Sequence, residues 1–155
     1  MCIRDSDPYR LLTVPDGLYC VGQTPAHGGL TTLALDRIDS VTLLDEYFKV
    51  DPVFDPAQIE RDAFGVVWEN PMTVVVRFNV DQAPYVKERL WHPSQSFRDL
   101  PDGSVEMTFR AAGEFEIIRW ILSWGDAAEV VGPEALRQRL ESTLKRAFGQ
   151  YTTSE

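Results

Sequence analysis

A chain of 155 residues with 44% hydrophobic side chains can hold one ordinary domain or two small ones, and it can build a real core, which excludes wholesale disorder. Its formal net charge of −9 argues against gripping a nucleic-acid backbone through the general surface, because that grip needs clustered Lys and Arg to displace counterions. No apolar stretch approaches the ~20 residues that span a bilayer, no secretory segment follows Met1, and Cys2 and Cys20 make no disulfide framework. A cytoplasmic protein with no membrane partner is expected.

Met1-Cys2-Ile3-Arg4-Asp5-Ser6 reads as the translation of a transposon end used in sequencing libraries. Residues 1–6 are therefore expected to be an adapter artefact without a packed role, with the native sequence continuing upstream. From Tyr9 to about Leu44 short strands alternate with turns. Arg10 to Val14 is one strand, Pro15-Asp16-Gly17 a hairpin turn, and Leu18 to Gln23 the returning strand. The loop at Thr24 to Gly29 leads to further strands at Leu30 to Leu35 and Ser40 to Leu44. Four such strands bury little area alone, so an incomplete barrel lacking at least one edge partner is expected. Residues 51–70 read as a linker with one short helix, Pro56 to about Phe64, capped by Asp55.

The second half is more regular. Met72, Val74, Val76, Phe78 and Val80 alternate with polar or exposed positions, which predicts a strand. Asp81 is placed to cap a helix over Gln82–Leu90, and Trp91 to Leu100 reads as a strand closed by the Pro101-Asp102-Gly103 turn. Val105, Met107, Phe109 and Ala111 form the inward face of the next strand. Glu114 to Trp124 is a buried helix ended by Gly125, Ala128 to Val131 a last strand, and Gly132-Pro133 opens a helix with Leu136, Leu140, Leu144 and Phe148 on one stripe. The order is β-α-β-β-α-β followed by α, a ferredoxin-like pattern with an extra helix. Phe78, Val86, Phe109, Ile118 and Ile121 are expected in its core.

Catalysis would need a nucleophile, a base and an orienting group. His27 and His92 stand in no such signature, and the chain has no nucleophile elbow, HExxH or CxxC. No enzyme activity, metal or cofactor is expected. Arg89, Trp91 and His92 combine charge, a stacking surface and a polar ring, a set that can hold a nucleotide or can form a helix-to-strand corner plugging the core. Trp120 and Trp124, four apart, fit either the core or a dimer interface.

Several blocks resemble a known family. Ala83-Pro84-Tyr85-Val86-Lys87-Glu88-Arg89-Leu90-Trp91-His92-Pro93-Ser94-Gln95, Leu100-Pro101-Asp102-Gly103-Ser104 and Trp120-Ile121-Leu122-Ser123-Trp124-Gly125 look like the C-terminal extension of WYL-domain transcriptional regulators. Pro8-Tyr9-Arg10-Leu11-Leu12, Gly17-Leu18-Tyr19-Cys20-Val21-Gly22 and Ala34-Leu35-Asp36-Arg37-Ile38 resemble the second half of the WYL domain itself. The resemblance implies an α+β chain: a partial Sm-like small β-barrel over 7–50, the 51–70 linker, the ferredoxin-like extension domain over 71–151 and a tail at 152–155. It implies the sensing and dimerisation part of a homodimeric regulator, with a nucleotide or single-stranded nucleic-acid ligand. Operator DNA would be bound only through a helix-turn-helix outside this chain. Tyr19 stands at the motif tyrosine and Arg37 at the second basic position, so both are site candidates with Arg89, Trp91 and His92. Tyr19 can equally be a core residue, and Arg37 a salt-bridge partner of Asp36 or Asp39. Leu18 replaces the motif's Trp, Cys20 its Leu, Thr31 its first basic residue and Leu33 its aromatic. Those departures support the alternative of a structural dimerisation and spacer module that binds no ligand.

Overall fold

Alternation of apolar and polar residues builds two antiparallel sheets, one in each half of a mixed α+β chain. The computed structural model describes residues 5–14, 17–24, 29–66 and 70–152. The expectations for Met1 to Arg4, the Pro15-Asp16 part of the first turn, the His27 loop and the last three residues fall outside that range.

The first sheet has the order β1-β2-β3, from β1 (Asp7–Val14), β2 (Gly17–Thr24) and β3 (Gly29–Ala34). Leu12 and Val21 are buried, with Tyr19, Leu30, Phe54 and Ala63 packed against them. A bulge between Pro8 and Arg10 brings the start of β1 close to Gly22, where a Cβ would stand 2.3 Å from the Asp7 carbonyl oxygen. Only glycine admits that approach. The strand expected at Ser40–Leu44 does not form: a 3-10 turn at Leu35–Arg37 ends the meander, and the chain runs on without secondary structure. Val41 and Leu43, which alternation would place together on one inward face, are 81% and 96% exposed, with no core for that face to meet among the described residues.

The run from 38 to 55 is anchored at intervals. Phe48 stacks on Tyr9 with ring centroids 5.8 Å apart, and Phe54 meets the same ring edge-on at 5.1 Å. Asp55 caps α1 (Pro56–Asp62) as expected, its carboxylate accepting from the Ala57 N–H at 3.0 Å. Beyond α1, Phe64 N–H donates to the Ala112 carbonyl at 2.9 Å and Ala112 N–H to the Asp62 carbonyl at 2.6 Å. The Thr32 hydroxyl donates to the Val66 carbonyl at 2.8 Å. The linker is thus stitched to both sheets.

The second sheet has the order β5-β6-β4-β7, from β4 (Met72–Phe78), β5 (Ser96–Asp99), β6 (Val105–Ala111) and β7 (Ala128–Gly132). Val74, Val76 and Phe78 from β4 and Val105, Met107 and Phe109 from β6 face one core with Val86 of α2 (Ala83–Lys87) and Ile117, Ile118 and Ile121 of α3 (Glu114–Leu122). The five core residues named from sequence are all buried there. On the opposite face a charge ladder crosses the strands: Arg98 pairs with Glu106, Glu106 with Arg77 at 2.9 Å, Arg77 with Glu129 at 3.9 Å, and Glu129 with Arg137 at 3.6 Å. The Arg98 and Arg77 guanidiniums hold the Glu106 carboxyl below its ordinary value.

Several boundaries differ from the sequence expectation: α1 ends at Asp62 rather than about Phe64, α3 at Leu122 rather than Trp124, and three further cases have a visible cause. β4 ends at Phe78, because the carbonyl and side chain of Asn79, not Asp81, take the cap: Asn79 Oδ1 accepts from Gln82 N–H at 3.0 Å. The helix that follows is only Ala83–Lys87. The strand expected over Trp91–Leu100 shrinks to Ser96–Asp99, since Pro93 has no N–H for a ladder and Gln95 closes a turn behind it. The last helix, α4 (Glu134–Tyr151), buries Leu136 and Leu140 against the core, while Leu144 and Phe148 on the same stripe are 50% and 70% exposed.

Candidate ligand site

The corner after α2 is built by one side chain. Gln95 Oε1 accepts from the Trp91 N–H at 2.7 Å and the His92 N–H at 3.1 Å, and its Nε2 donates to the Arg89 carbonyl at 2.8 Å. Those bonds satisfy backbone groups that no strand partner reaches. Ser94 continues the work: its hydroxyl accepts from Arg110 N–H at 2.8 Å and lies 3.2 Å from the Arg110 carbonyl. The side chain thus stands where the next residue of β5 would pair with β6.

This knot fixes three of the five residues singled out from sequence. The Arg89 guanidinium lies over the Trp91 ring, 5.7 Å from its centroid. Trp91 is half-buried, donates Nε1–H to the Val86 carbonyl at 2.9 Å and packs at 5.5 Å on Trp120 and 5.4 Å on Trp124. Trp120 and Trp124 belong to this core cluster, with Phe78 5.9 and 5.1 Å away. His92 is 2% exposed and points inward, its ring parallel to Phe64 and 6.0 Å from Phe109. Ser94 N–H donates to Nδ1 at 3.2 Å, and the Ser94 hydroxyl lies 2.8 Å from the same nitrogen.

Burial pushes the His92 pKa down, against a smaller upward pull from Asp62. The native state therefore binds fewer protons at this ring than the unfolded chain does below about pH 6.5. Its contribution to stability is complete above that pH and is lost as pH falls through the lower, folded value. Urea unfolding at steps from pH 7.5 to 5.5 is expected to show a falling midpoint. A midpoint that does not move would mean the ring is not held neutral.

Tyr19 lies in the other sheet and Arg37 in the 3-10 turn that follows it. Tyr19 sits on β2 opposite Leu12 and Ala34, half-buried against the small core, and Arg37 ends the 3-10 turn that follows Ala34. Arg37 is exposed, and it makes no ion pair with Asp36, Asp39 or any other described residue. No hydrogen bond, ion pair or ring contact among the described residues joins Tyr19 or Arg37 to the Arg89–His92 corner. An open cavity of about 230 Å³ lies elsewhere, between β1 from Arg10 to Val14 and the Ala63–Gly65 segment. None of the five residues lines it. Among the described residues no three His, Cys, Asp or Glu side chains gather as a metal site, and no helix is long and apolar enough to cross a membrane.

Sequence reasoning missed Gln95 and Glu106. Pro93 inside a presumed strand was the available signal for the first, and Arg77 facing Glu106 across two strands for the second.

Comparison with known proteins decides the family. A family model of the WCX domain matches residues 70–148, and one of the WYL domain matches residues 3–43. The chain belongs to the family of proteins that carry a WCX domain, here preceded by a match to the WYL domain. Among curated relatives, Protein PafC of Mycobacterium tuberculosis is 34% identical over 149 residues, and Protein PafC of Mycobacterium leprae 26% over 149 residues. Each alignment covers 96% of this chain and 46% or 44% of the relative, so the chain spans less than half the length of the curated relatives it matches. A solved structure, Proteasome accessory factor B/C (PafBC) of Arthrobacter aurescens, is similar with a TM-score of 0.47 and 18% identity, over 96% of this chain and 22% of that one. The WYL match ends at residue 43 and the WCX match begins at residue 70, so residues 44–69 lie between the two matches.

Proposed function

We propose that this chain is the ligand-sensing and dimerisation part of a homodimeric, cytoplasmic WYL-family transcriptional regulator. Operator DNA is contacted by a helix-turn-helix outside these 155 residues. The first sheet belongs to an Sm-like barrel, and the β-α-β-β-α-β half is read as ferredoxin-like. The observation that carries this reading is the pair of WYL and WCX matches in order along one chain. A free, exposed guanidinium at Arg37 supports a nucleotide or single-stranded nucleic-acid ligand, since a planar fork suits phosphate. Tyr19 stands on the neighbouring strand, and Arg89 over Trp91 offers a second cation beside a stacking surface. His92 takes part by holding that corner from inside.

The test is anisotropy titration with a short single-stranded oligonucleotide over a salt series. Arg37→Ala is expected to weaken binding, to lower the magnitude of the log–log salt slope by about 0.7, the value of one phosphate contact on a single strand, and to leave the melting temperature unchanged. Equal loss of stability and binding would make Arg37 structural, and unchanged binding would remove it from the site. A second reading, a spacer that binds no ligand, is favoured by Thr31. It stands at the family's first basic position and is occupied within the sheet, its hydroxyl 3.3 Å from that of Thr24. Absence of binding at every salt concentration would select that reading.

A further inference from the structure

Linker residues 62–65 close over two buried polar atoms that have no partner among the described residues. One is Nε2 of His92: Ser94 meets Nδ1 on the other side of the ring, and Nε2 is left without a hydrogen bond. The other is Oε2 of Glu116 on α3, whose side chain packs against Gly65 and Gly113. The cover over His92 is thin. Phe64 lies parallel to the imidazole with centroids 6.3 Å apart, and Phe109, deep in β6, closes another side. The stretch that carries Phe64 is held to the second sheet by two backbone hydrogen bonds, Phe64 N–H to the Ala112 carbonyl and Ala112 N–H to the Asp62 carbonyl. Its neighbours Ala63 and Gly65 line the open cavity of about 230 Å³ against β1, so this stretch has free space beside it. Few bonds, a thin apolar contact and room to move place it at the low-stability end of the fold.

We propose that residues 62–65 form a proton-operated latch: a charge on His92 lifts Phe64 off the imidazole and frees the linker from β6, while the second core stays packed. A buried imidazolium needs water or an acceptor at Nε2. The shortest route to water runs through Phe64, because Phe109 belongs to the core and Ser94 to the corner that Gln95 and the β6 backbone hold. The charged groups around the ring do not remove that need. Asp62 of the linker pulls toward the charged form, but desolvation outweighs it. Glu116 of α3 is packed on Gly65, Arg110 of β6 is exposed, and the Arg89 guanidinium of the ring's own corner lies over Trp91. Once Phe64 has moved, the ring regains an ordinary pKa of about 6.5. The open state therefore binds the extra proton below that pH. The closed latch is fully favoured above it and loses ground as pH falls toward the depressed value of the covered ring. This device does not depend on whether the chain binds a ligand.

Native-state hydrogen exchange of the 155-residue chain, followed residue by residue by NMR at pH 7.5 and 5.5 and corrected for intrinsic rates, tests this. The opening constant of the Phe64 and Ala112 amides is expected to rise about tenfold over that interval, the effect of one proton taken up by a ring of ordinary pKa. It should depend on urea much more weakly than the opening of the β4 and β6 core amides, because little surface is exposed. His92→Gln puts an uncharged polar side chain in the ring's place and is expected to abolish the rise. Phe64→Ala changes the linker and leaves the ring in place. It should bring the titration of His92, read at its Cε1 proton, up toward about 6.5. Seam amides that open with the same constant and the same urea dependence as the core amides leave no separate latch and overturn the proposal. So does a rise that survives His92→Gln, and so does a His92 titration unmoved by Phe64→Ala.

Discussion

Phe109→Ala is expected to cost ~3–5 kcal/mol of unfolding free energy. The ring is 1% exposed at the middle of β6 and touches Phe64, His92 and Trp120 with centroids 5.3, 6.0 and 5.8 Å away. Phe64 reaches it from the linker, so the loss falls on the packing within the second sheet and also on the seam where the linker meets β6. Truncation leaves a cavity that rigid neighbours fill poorly, because Trp120 and the His92 knot are held by their own contacts. Chemical denaturation reads the effect directly, and a loss below about 1 kcal/mol would mean that β6 presents its other face to the core.

The second large effect is a contrast along one helix. Leu136→Ala is expected to cost ~2–5 kcal/mol, whereas Leu144→Ala, eight residues further along the same stripe, should stay within ~0.5 kcal/mol in the dilute monomer. Leu136 is 1% exposed against the core, and Leu144 is half in water. Similar losses at both positions would mean that α4 lies against its own domain along its whole length. Both measurements must be made well below any dimer dissociation constant, since association would lend apparent stability to Leu144.

Period-2 alternation made the strands legible where a strand has one wet face and one dry face. β4 and β6 are of that kind, and their inward residues were readable one by one. The same rule misled at Ser40–Leu44 and Trp91–Leu100. In the first, Val41 and Leu43 alternate as an inward face would, but both stand exposed. In the second, the side chains of Ser94 and Gln95 supply hydrogen bonds that a periodicity argument assigns to backbone. The site was legible as residue types and poorly as geometry. Tyr19 and Arg37 belong to the first sheet and the turn that ends it, and the Arg89–His92 corner to the loop before β5, and nothing local in the sequence says how far apart those two parts will stand. His92 reads from sequence as a polar ring beside Trp91; its inward direction depends on Phe64, which arrives from a linker nearly thirty residues earlier.

The charge ladder over the open face of the second sheet also limits which mistakes the fold can make. Each strand carries an ion-pairing residue next to core residues, as Glu106 stands between Val105 and Met107. Sliding β6 by one position against β4 and β5 would turn the Glu106 carboxylate into the apolar layer and strand Arg77 and Arg98 without it. An aliphatic strand would tolerate such a slip at modest cost, but a buried unpaired charge does not. The ladder therefore acts as a checksum on strand alignment: under the helices that cover the other face, a mispaired sheet would hold a buried charge without its partners, and the open face can remain in water with one arrangement of strands available to it.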